Sequence, residues 1–556
     1  MPFFLQIVIA VALAYLPFVG WMSVPWTGDQ KVYLSTAIEM EQQHSFLVPY
    51  LFGEPSYYKP PLQYWSTIAG IRSFGFSLWG AFIPSVLATL ISALAIASIA
   101  GRVLPKSQEG RSPAASRAAL WFIGSLGTAT FGVAAQMEIY LIAVGFTAWA
   151  LALSYLDRSP RDRLKNSWAL YAAFFAVGVL SWVKSPLYSV LWVFGYFAFL
   201  VAKQEWREFR SPHLYVALVF GTLLGASWYL AILGIDRDRF VADYIVRETL
   251  SKQGGNGGAP WQLWLSALSF SIPFVLLTFG SLFCAKLDSG RRLWFFALAA
   301  GAPAAVFFSV YPYRVNTYLY VLVPILAILA AYFEEVRPRV AALVSRIGAV
   351  TMILVTGYFV WLGLRIDLTT GWKLGAVSLV GTICVASWVG TLFRPKLGVW
   401  AAVIFVAWLH SLGVTLGERD IAGLREFVSV NSHRQLAILD PDRNIWHEVG
   451  LLSVALGKPV ARISSAQDVL DVLDAGNAVI LSEDQASSIL PEVRKLLDDE
   501  DDGREVLSTP WNRFPTRKSL EVRQLIRAKT RLELNRKFQI LTLPPPSDWM
   551  MPEGGV

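Results

Sequence analysis

Residues 1–28 read MPFFLQIVIAVALAYLPFVGWMSVPWTG and carry no charged side chain; the chain turns polar at once in Gly28-Asp29-Gln30. Crossing the apolar core of a bilayer takes about 20 apolar residues. The opening segment is long enough for that, and it leaves Asp29 where the chain emerges. No basic residue precedes the apolar run, so a retained span is expected rather than a cleaved leader. Further along the same connection stands Tyr57-Tyr58-Lys59-Pro60-Pro61-Leu62-Gln63-Tyr64-Trp65. An acid and a base thus share one loop at a membrane surface.

The rest of the chain extends the pattern. Of 556 residues, 55% are hydrophobic and only 16% charged, against roughly 25% charged in soluble domains. Mean hydropathy is +0.47. The expected class is a polytopic α-helical membrane protein. Its net charge of +8 fits basic cytoplasmic loops better than nucleic-acid binding. Cys284 and Cys384 lie far apart in or beside apolar runs and suggest neither a disulfide framework nor a metal cluster.

Hydropathy places about thirteen spans, near 3–24, 76–101, 118–136, 139–156, 167–185, 186–202, 213–234, 262–284, 293–310, 316–333, 347–364, 373–393 and 397–416. Six alternate connections are basic: Arg102 to Arg117, Arg158 to Lys165, Lys203 to Arg210, Lys286 to Arg292, Arg337 to Arg346, and Arg394 with Lys396. All six fall on one side, which the positive-inside rule makes cytoplasmic. The N-terminus is then inside and the segment after the last span outside. Asp29, Lys59, Glu138, Lys184, Arg247 and Arg314 all fall at or near the outer face, as one extracytoplasmic site assembled from several connections would require.

Residues 1–416 form the expected membrane domain, with a first outer loop over 25–75 and a flexible outer loop over 235–261. In the first, Asp29 to Gln43 has the spacing of an amphipathic interfacial helix, and Leu62 to Phe74 that of a second. The glycines 254, 255, 257 and 258 lack the Lys-Ser/Thr of a P-loop and follow no strand. They read as a flexible linker. Residues 417–556 turn soluble in composition. Strand and helix patterns alternate from Gln435 to Leu497, with a further strand at Phe538 to Leu543, which suggests a small extracytoplasmic α/β domain. The acidic run Asp498 to Asp502 lacks EF-hand spacing and reads as a solvated loop.

Transfer of a sugar from a polyprenyl phosphate needs a base on the acceptor hydroxyl and cations on the departing phosphate. A surface carboxylate among lysines and arginines supplies both. At Asp29-Gln30 and Lys59-Pro60-Pro61-Leu62 the chain resembles the GT-C class of lipid-linked-sugar glycosyltransferases. It is most similar to the bacterial aminoarabinose transferases that act on lipid A and to the protein O-mannosyltransferases. The likeness covers roughly residues 1–335. It implies Asp29 as general base and Lys59 on the donor phosphate. Lys184, in Lys184-Ser185-Pro186, resembles the family's Lys-Gly-Pro element and implies a second phosphate contact. Arg247 and Arg314 stand where relatives place cations, and Glu138 matches a second acidic position. Tyr33, Tyr57 and Tyr58 would line the substrate pocket. Gln30 replaces the family's usual second acid, and Tyr58 stands where the aminoarabinose transferases have an acid before Lys-Pro-Pro. The five histidines have no metal-ligand spacing. No tightly bound zinc or other cofactor is therefore expected, with divalent-metal dependence left open and lipid A aminoarabinosylation disfavoured.

Each residue also has a structural reading. Asp29 would serve as a helix N-cap, Lys59 would snorkel to headgroups, and Glu138 and Lys184 would pair at span ends. The expected function is sugar transfer, inverting at the anomeric carbon, to a lipid, glycan or protein acceptor at the periplasmic face of a bacterial inner membrane. One competitor is a flippase of lipid-linked sugars, which predicts midplane charges and repeated halves. The other is a noncatalytic envelope assembly protein, which predicts an indispensable tail.

Overall fold

In a bilayer the backbone has no water to bond, so long apolar runs satisfy their N–H and C=O groups within helices. The computed structural model follows that rule. It describes residues 3–19, 29–51, 53–105, 113–251, 258–284, 290–365, 372–439, 449–499, 506–513 and 536–543. Helices α1 (Phe3–Ala14) and α2 (Leu16–Val19) open the chain, and α3 (Asp29–Gln42) starts the first outer loop. A two-residue hairpin, β1 (Tyr50–Leu51) and β2 (Glu54–Pro55), and α4 (Leu62–Phe74) complete that loop. Then come α5 (Leu78–Val103), α6 (Pro113–Ile123), α7 (Leu126–Phe131), α8 (Met137–Leu156), α9 (Pro160–Lys165), α10 (Trp168–Val183), α11 (Pro186–Ala202) and α12 (Pro212–Ile235). Helix α13 (Arg237–Phe240) leads into a π-helical segment, Val241–Leu250. Helices α14 (Pro260–Phe270), α15 (Val275–Leu282), α16 (Arg291–Val310), α17 (Val323–Val336), α18 (Pro338–Arg365), α19 (Trp372–Phe393) and α20 (Gly398–Val430) follow.

Seven described helical stretches are long and apolar enough to cross a membrane: Leu78–Val103, Met137–Leu156, Pro212–Ile235, Arg291–Val310, Tyr318–Val336, Pro338–Trp361 and Pro395–Leu412. The pair α14 and α15, bent by 111°, adds an eighth if counted as one span. At the five other expected positions the apolar helical stretches have 10–17 residues, Val377–Phe393 within α19 among them. Apolar helices thus stand at all thirteen expected positions, and seven or eight of the described stretches have the length of a full span. Hydropathy runs on through local breaks that end a helix. The Ser125 side chain caps α7, and Pro273 withholds a backbone N–H between α14 and α15.

Two outer segments differ from expectation. Helix α3 is buried at Gln30, Lys31, Tyr33, Leu34, Ser35, Thr36, Ala37, Ile38 and Met40, more than an interfacial helix would be. It is held between α4 and a helix of the tail. Most of the expected flexible stretch 235–261 is helical, through α13 and Val241–Leu250; residues 252–257, with most of the glycine run, lie outside the described residues. Helix α4 lies against α5 so closely that a Cβ on Gly70 would stand 2.2 Å from the Gly80 carbonyl oxygen. That contact allows only glycine at position 70.

The tail continues with β3 (Leu436–Leu439), α21 (Val449–Leu456), β4 (Val460–Ile463), α22 (Ala466–Asp474), β5 (Ala478–Ser482), α23 (Glu483–Asp499), β6 (Leu507–Arg513) and β7 (Arg536–Thr542). The sheet order is β4-β3-β5-β7-β6; β3 is parallel to β4 and β5, and β7 is antiparallel to β5 and β6. Strand residues alternate between two faces. Leu436, Ile438, Ala478, Ile480, Phe538 and Ile540 join the core shared with the membrane helices. Ala437, Leu439, Val479, Leu481 and Leu541 pack with α22 and α23. Helix α21 packs on α3 and ends at Gly457, whose φ of +71° suits a C-terminal glycine. Helix α20 runs without a break past the expected boundary at residue 417.

A buried histidine ties the opening of the chain to its last membrane helix. His410 Nδ1 lies 2.7 Å from the Ala14 carbonyl oxygen and Nε2 2.9 Å from that of Ala129, so one ring joins α1, α7 and α20. His410→Phe keeps a ring but removes the one N–H that a neutral imidazole donates to these carbonyls, at about 1–3 kcal/mol. The purified variant should unfold several degrees below wild type in a thermal scan in detergent; an unchanged midpoint would show that the bridge carries no stability.

Candidate active site

Asp29 is the first residue of α3 and is exposed. Tyr33, one turn later on the same helix, is buried, and its hydroxyl is pushed well above the ordinary tyrosine value by burial first, then by Asp29 and Glu138. The same tyrosine therefore senses both carboxylates that the sequence singled out. Its ring packs 6.2 Å from that of Tyr64 on α4.

The Tyr58-Lys59 step forms the next layer. Pro60 and Pro61 stiffen the chain ahead of α4 and hold Lys59 over Tyr58, with Nζ 4.3 Å from the ring centroid. The Arg247 guanidinium lies 5.6 Å from the same ring. Two cations on one phenol are favourable because the ring face is electron-rich. Lys59 is buried, and its Nζ donates to Glu248 Oε2 at 2.9 Å. The Tyr58 hydroxyl is held far above its usual value by burial and by the adjacent Glu248 carboxylate, which keeps it a neutral donor.

A second buried ion pair lies where α8 begins and α10 ends. Glu138 sits in the first turn of α8 and Lys184 caps α10. Lys184 Nζ is 2.7 Å from Glu138 Oε1, with both side chains nearly enclosed. Antiparallel packing of α8 and α10 brings the two to the same depth. Lys184 also lies 5.5 Å from the Tyr318 ring, and Thr317 approaches the Glu138 carboxylate. Tyr318 in turn senses Glu248 and Lys184, which connects the two ion pairs.

Tyr57 and Arg314 also make contacts that hold the loops together. Tyr57 is enclosed by Trp228, Tyr229, Ile232 and Phe240. Its hydroxyl donates to Asp236 Oδ2 at 3.3 Å, and its backbone N–H donates to Asp243 Oδ2 at 3.3 Å. Burial and the Asp236 carboxylate push its hydroxyl up to about 12. It thus pins the first outer loop to the segment that carries Arg247 and Glu248. Arg314 donates to the carbonyl oxygens of Gly258 at 3.1 Å and Ser309 at 3.2 Å, stapling two outer connections. Sequence reasoning missed Glu248, the buried Lys31, Thr317 and Tyr318. Glu248 was visible only as a carboxylate beside Arg247, and nothing local points to a lysine 189 residues away.

The comparisons agree with this architecture. A family model described as dolichyl-phosphate-mannose-protein mannosyltransferase matches residues 58–230. An undecaprenyl phosphate-alpha-4-amino-4-deoxy-L-arabinose arabinosyl transferase of Pectobacterium atrosepticum is 26% identical over 437 residues, 75% of this chain and 72% of that one. An uncharacterized protein of Aquifex aeolicus is 24% identical over 331 residues, which is 59% of this chain and 63%, less than two thirds, of that protein's length. The crystal structure of ArnT from Cupriavidus metallidurans bound to undecaprenyl phosphate superposes with a TM-score of 0.66 at 16% identity, over 97% of both chains. Its apo form gives 0.64, over 87% of this chain and 94% of that one. The fold is that of ArnT, and the chain resembles the GT-C glycosyltransferases that use lipid-linked sugars.

Proposed function

We propose that this chain is a bacterial inner-membrane glycosyltransferase. It moves a sugar from a polyprenyl-phosphate donor to a lipid, glycan or protein acceptor at the periplasmic face. The observation that carries the reading is the convergence of Asp29 and Glu138 on Tyr33 and of Lys59, Arg247 and Glu248 on Tyr58, with Lys184 paired to Glu138. Asp29, exposed at the head of α3, takes the proton of the acceptor hydroxyl. The acceptor oxygen attacks the anomeric carbon, and the bond from that carbon to the lipid phosphate oxygen breaks. A single displacement inverts the anomeric centre. The departing phosphate gains charge, and Lys59, Lys184 and Arg247 lie where fixed cations lower the energy of that change; Arg314 holds the rim of the site.

Lys59 is neutralised by Glu248. Binding a phosphate therefore exchanges one anion for another at Lys59 rather than uncovering a bare charge. A flippase would need charge near the bilayer centre. Among the described residues, the Glu138–Lys184 pair sits at helix ends.

Lys59→Met tests the donor contact. A hydrogen bond to a charged group contributes about 1.5–3 kcal/mol, so kcat/KM for the lipid-phosphate sugar should fall roughly 10- to 150-fold, read per folded protein because the variant also breaks the buried Lys59–Glu248 pair. Unchanged kinetics in a membrane transfer assay would remove Lys59 from the site.

A further inference from the structure

A second concentration of charge lies at the opposite ends of the helices that carry Glu138 and Lys184. Helix α8 starts with Met137-Glu138 and ends at Leu156, α10 runs from Trp168 to the residue before Lys184, and α11 ends at Ala202. The connections 157–167 and 203–211 are therefore one helix length away from the Glu138–Lys184 pair, about 30 Å for the 20 residues of α8. We propose that these two connections together bind the headgroup of an anionic phospholipid, at a place separate from the transfer chemistry.

Charge is the first support. The two connections hold seven basic and four acidic residues, and the acids are used internally. Arg163 is buried, and its guanidinium donates to Glu205 Oε2 at 2.9 Å and to Glu208 Oε1 at 2.7 Å. Glu208 also accepts from the Tyr155 hydroxyl at 2.9 Å. Asp157 accepts from Arg102 at 2.7 Å and from Arg292, and Asp162 accepts from the Ser159 hydroxyl at 2.6 Å in the first turn of α9. Arg161, Lys165, Lys203, Arg207 and Arg210 are left exposed, and among the described residues none of the five makes an ion pair. Like charges held close repel, and a bound anion relieves that repulsion.

The second support is what surrounds the cations. Trp168, Trp206 and Leu164 are exposed beside them, and the Arg158 guanidinium lies 5.6 Å from the Trp168 ring. Leu164 shares one side of α9 with Arg161 and Lys165, three residues after one and next to the other. Tryptophan and leucine exposed among basic residues suit the headgroup boundary of a bilayer. Two turns along α10 from Trp168, about 10 Å deeper, the exposed ring of Phe175 stacks on Phe220 of α12 at 6.3 Å. Cation, indole and phenyl thus follow one another as phosphate, glycerol and acyl chain do in a lipid. A free phosphate would need the cations alone.

The third support is order. Arg163 also donates to the carbonyl oxygens of Arg158, at 3.0 Å, and of Leu156. One buried side chain thereby fixes both connections, so binding does not first have to order them.

The test is lipid retention by the full-length protein purified in detergent, read by native mass spectrometry with dioleoyl phosphatidylglycerol, cardiolipin or dioleoyl phosphatidylcholine added. Wild type should hold the two anionic lipids about tenfold or more tightly than phosphatidylcholine. A basic residue near an anionic lipid surface is worth about fivefold, so the triple variant Arg161→Gln, Arg207→Gln, Arg210→Gln should lose about 100-fold. The double variant Lys165→Gln, Lys203→Gln, with an expected loss of about 25-fold, serves if the triple variant does not fold. Trp168→Ala should weaken anionic-lipid retention as well. A micelle has no inside, so residues that serve only to orient the chain during insertion would leave retention unchanged. Equal retention of phosphatidylcholine, or variants equal to wild type, would overturn the proposal. Release of the lipid by millimolar inorganic phosphate at constant ionic strength would reassign the cations to a free anion. Release by a polyglutamate peptide, with Trp168→Ala without effect, would reassign them to an acidic protein. Either release overturns the lipid assignment.

Discussion

Asp29→Asn should reduce sugar transfer by about 10²–10⁴-fold, the range for loss of a positioned general base, while the protein folds as before. The side chain is exposed at the start of α3, and among the described residues no ion pair depends on it. Its structural value is the interaction of a carboxylate with a helix N-terminus, about 0.3–1 kcal/mol, and asparagine is itself a good residue at helix starts. Donor affinity should be unchanged, because the proposed phosphate contacts are elsewhere. The measurements are kcat and donor KM in membranes, together with a thermal midpoint. Full activity in the variant would assign Asp29 to helix capping alone. A loss of activity matched by a loss of folded protein would do the same.

The second large effect is on stability. Glu138→Ala leaves Lys184 charged and enclosed at the end of α10. Breaking one side of a buried ion pair costs about 3–5 kcal/mol, enough to remove most folded protein from the membrane fraction. Replacing both partners with methionine should restore much of the yield, since an apolar pair of similar volume carries no uncompensated charge. The double variant separates the two roles of Lys184. On the proposed reading it folds but transfers sugar at least tenfold more slowly than wild type, because one phosphate contact is gone. A double variant with full transfer would make the pair purely structural.

The parts of this chain that were legible in its sequence share a physical reason. Charge is rare inside a bilayer, so the few charges at span ends stand out: Asp29, Lys59, Glu138 and Lys184 were found from their place between apolar runs. In the tail, the short continuous apolar runs Leu436–Leu439 and Ala478–Ser482 mark strands covered on both faces. What escaped was tertiary. The partnership of Lys59 with Glu248 joins distant segments, and the docking of α21 on α3 makes a buried helix of one that looked interfacial. Hydropathy also could not see that Pro260–Phe270 and Val275–Leu282 diverge by 111°, although Pro273 between them was a signal. Strand β6 was missed because Pro510 argues against a strand, and it is tolerated there because β6 lies at the sheet edge.

The most direct measurement is transfer by the purified protein in nanodiscs, from polyprenyl-phosphate sugars labelled at the anomeric carbon, with an envelope extract as acceptor. The account predicts that the label leaves the lipid phosphate and appears on an acceptor with its anomeric configuration inverted. Label that stays on the lipid for every donor and extract, with protein shown to be folded and donor shown to be bound, would contradict it.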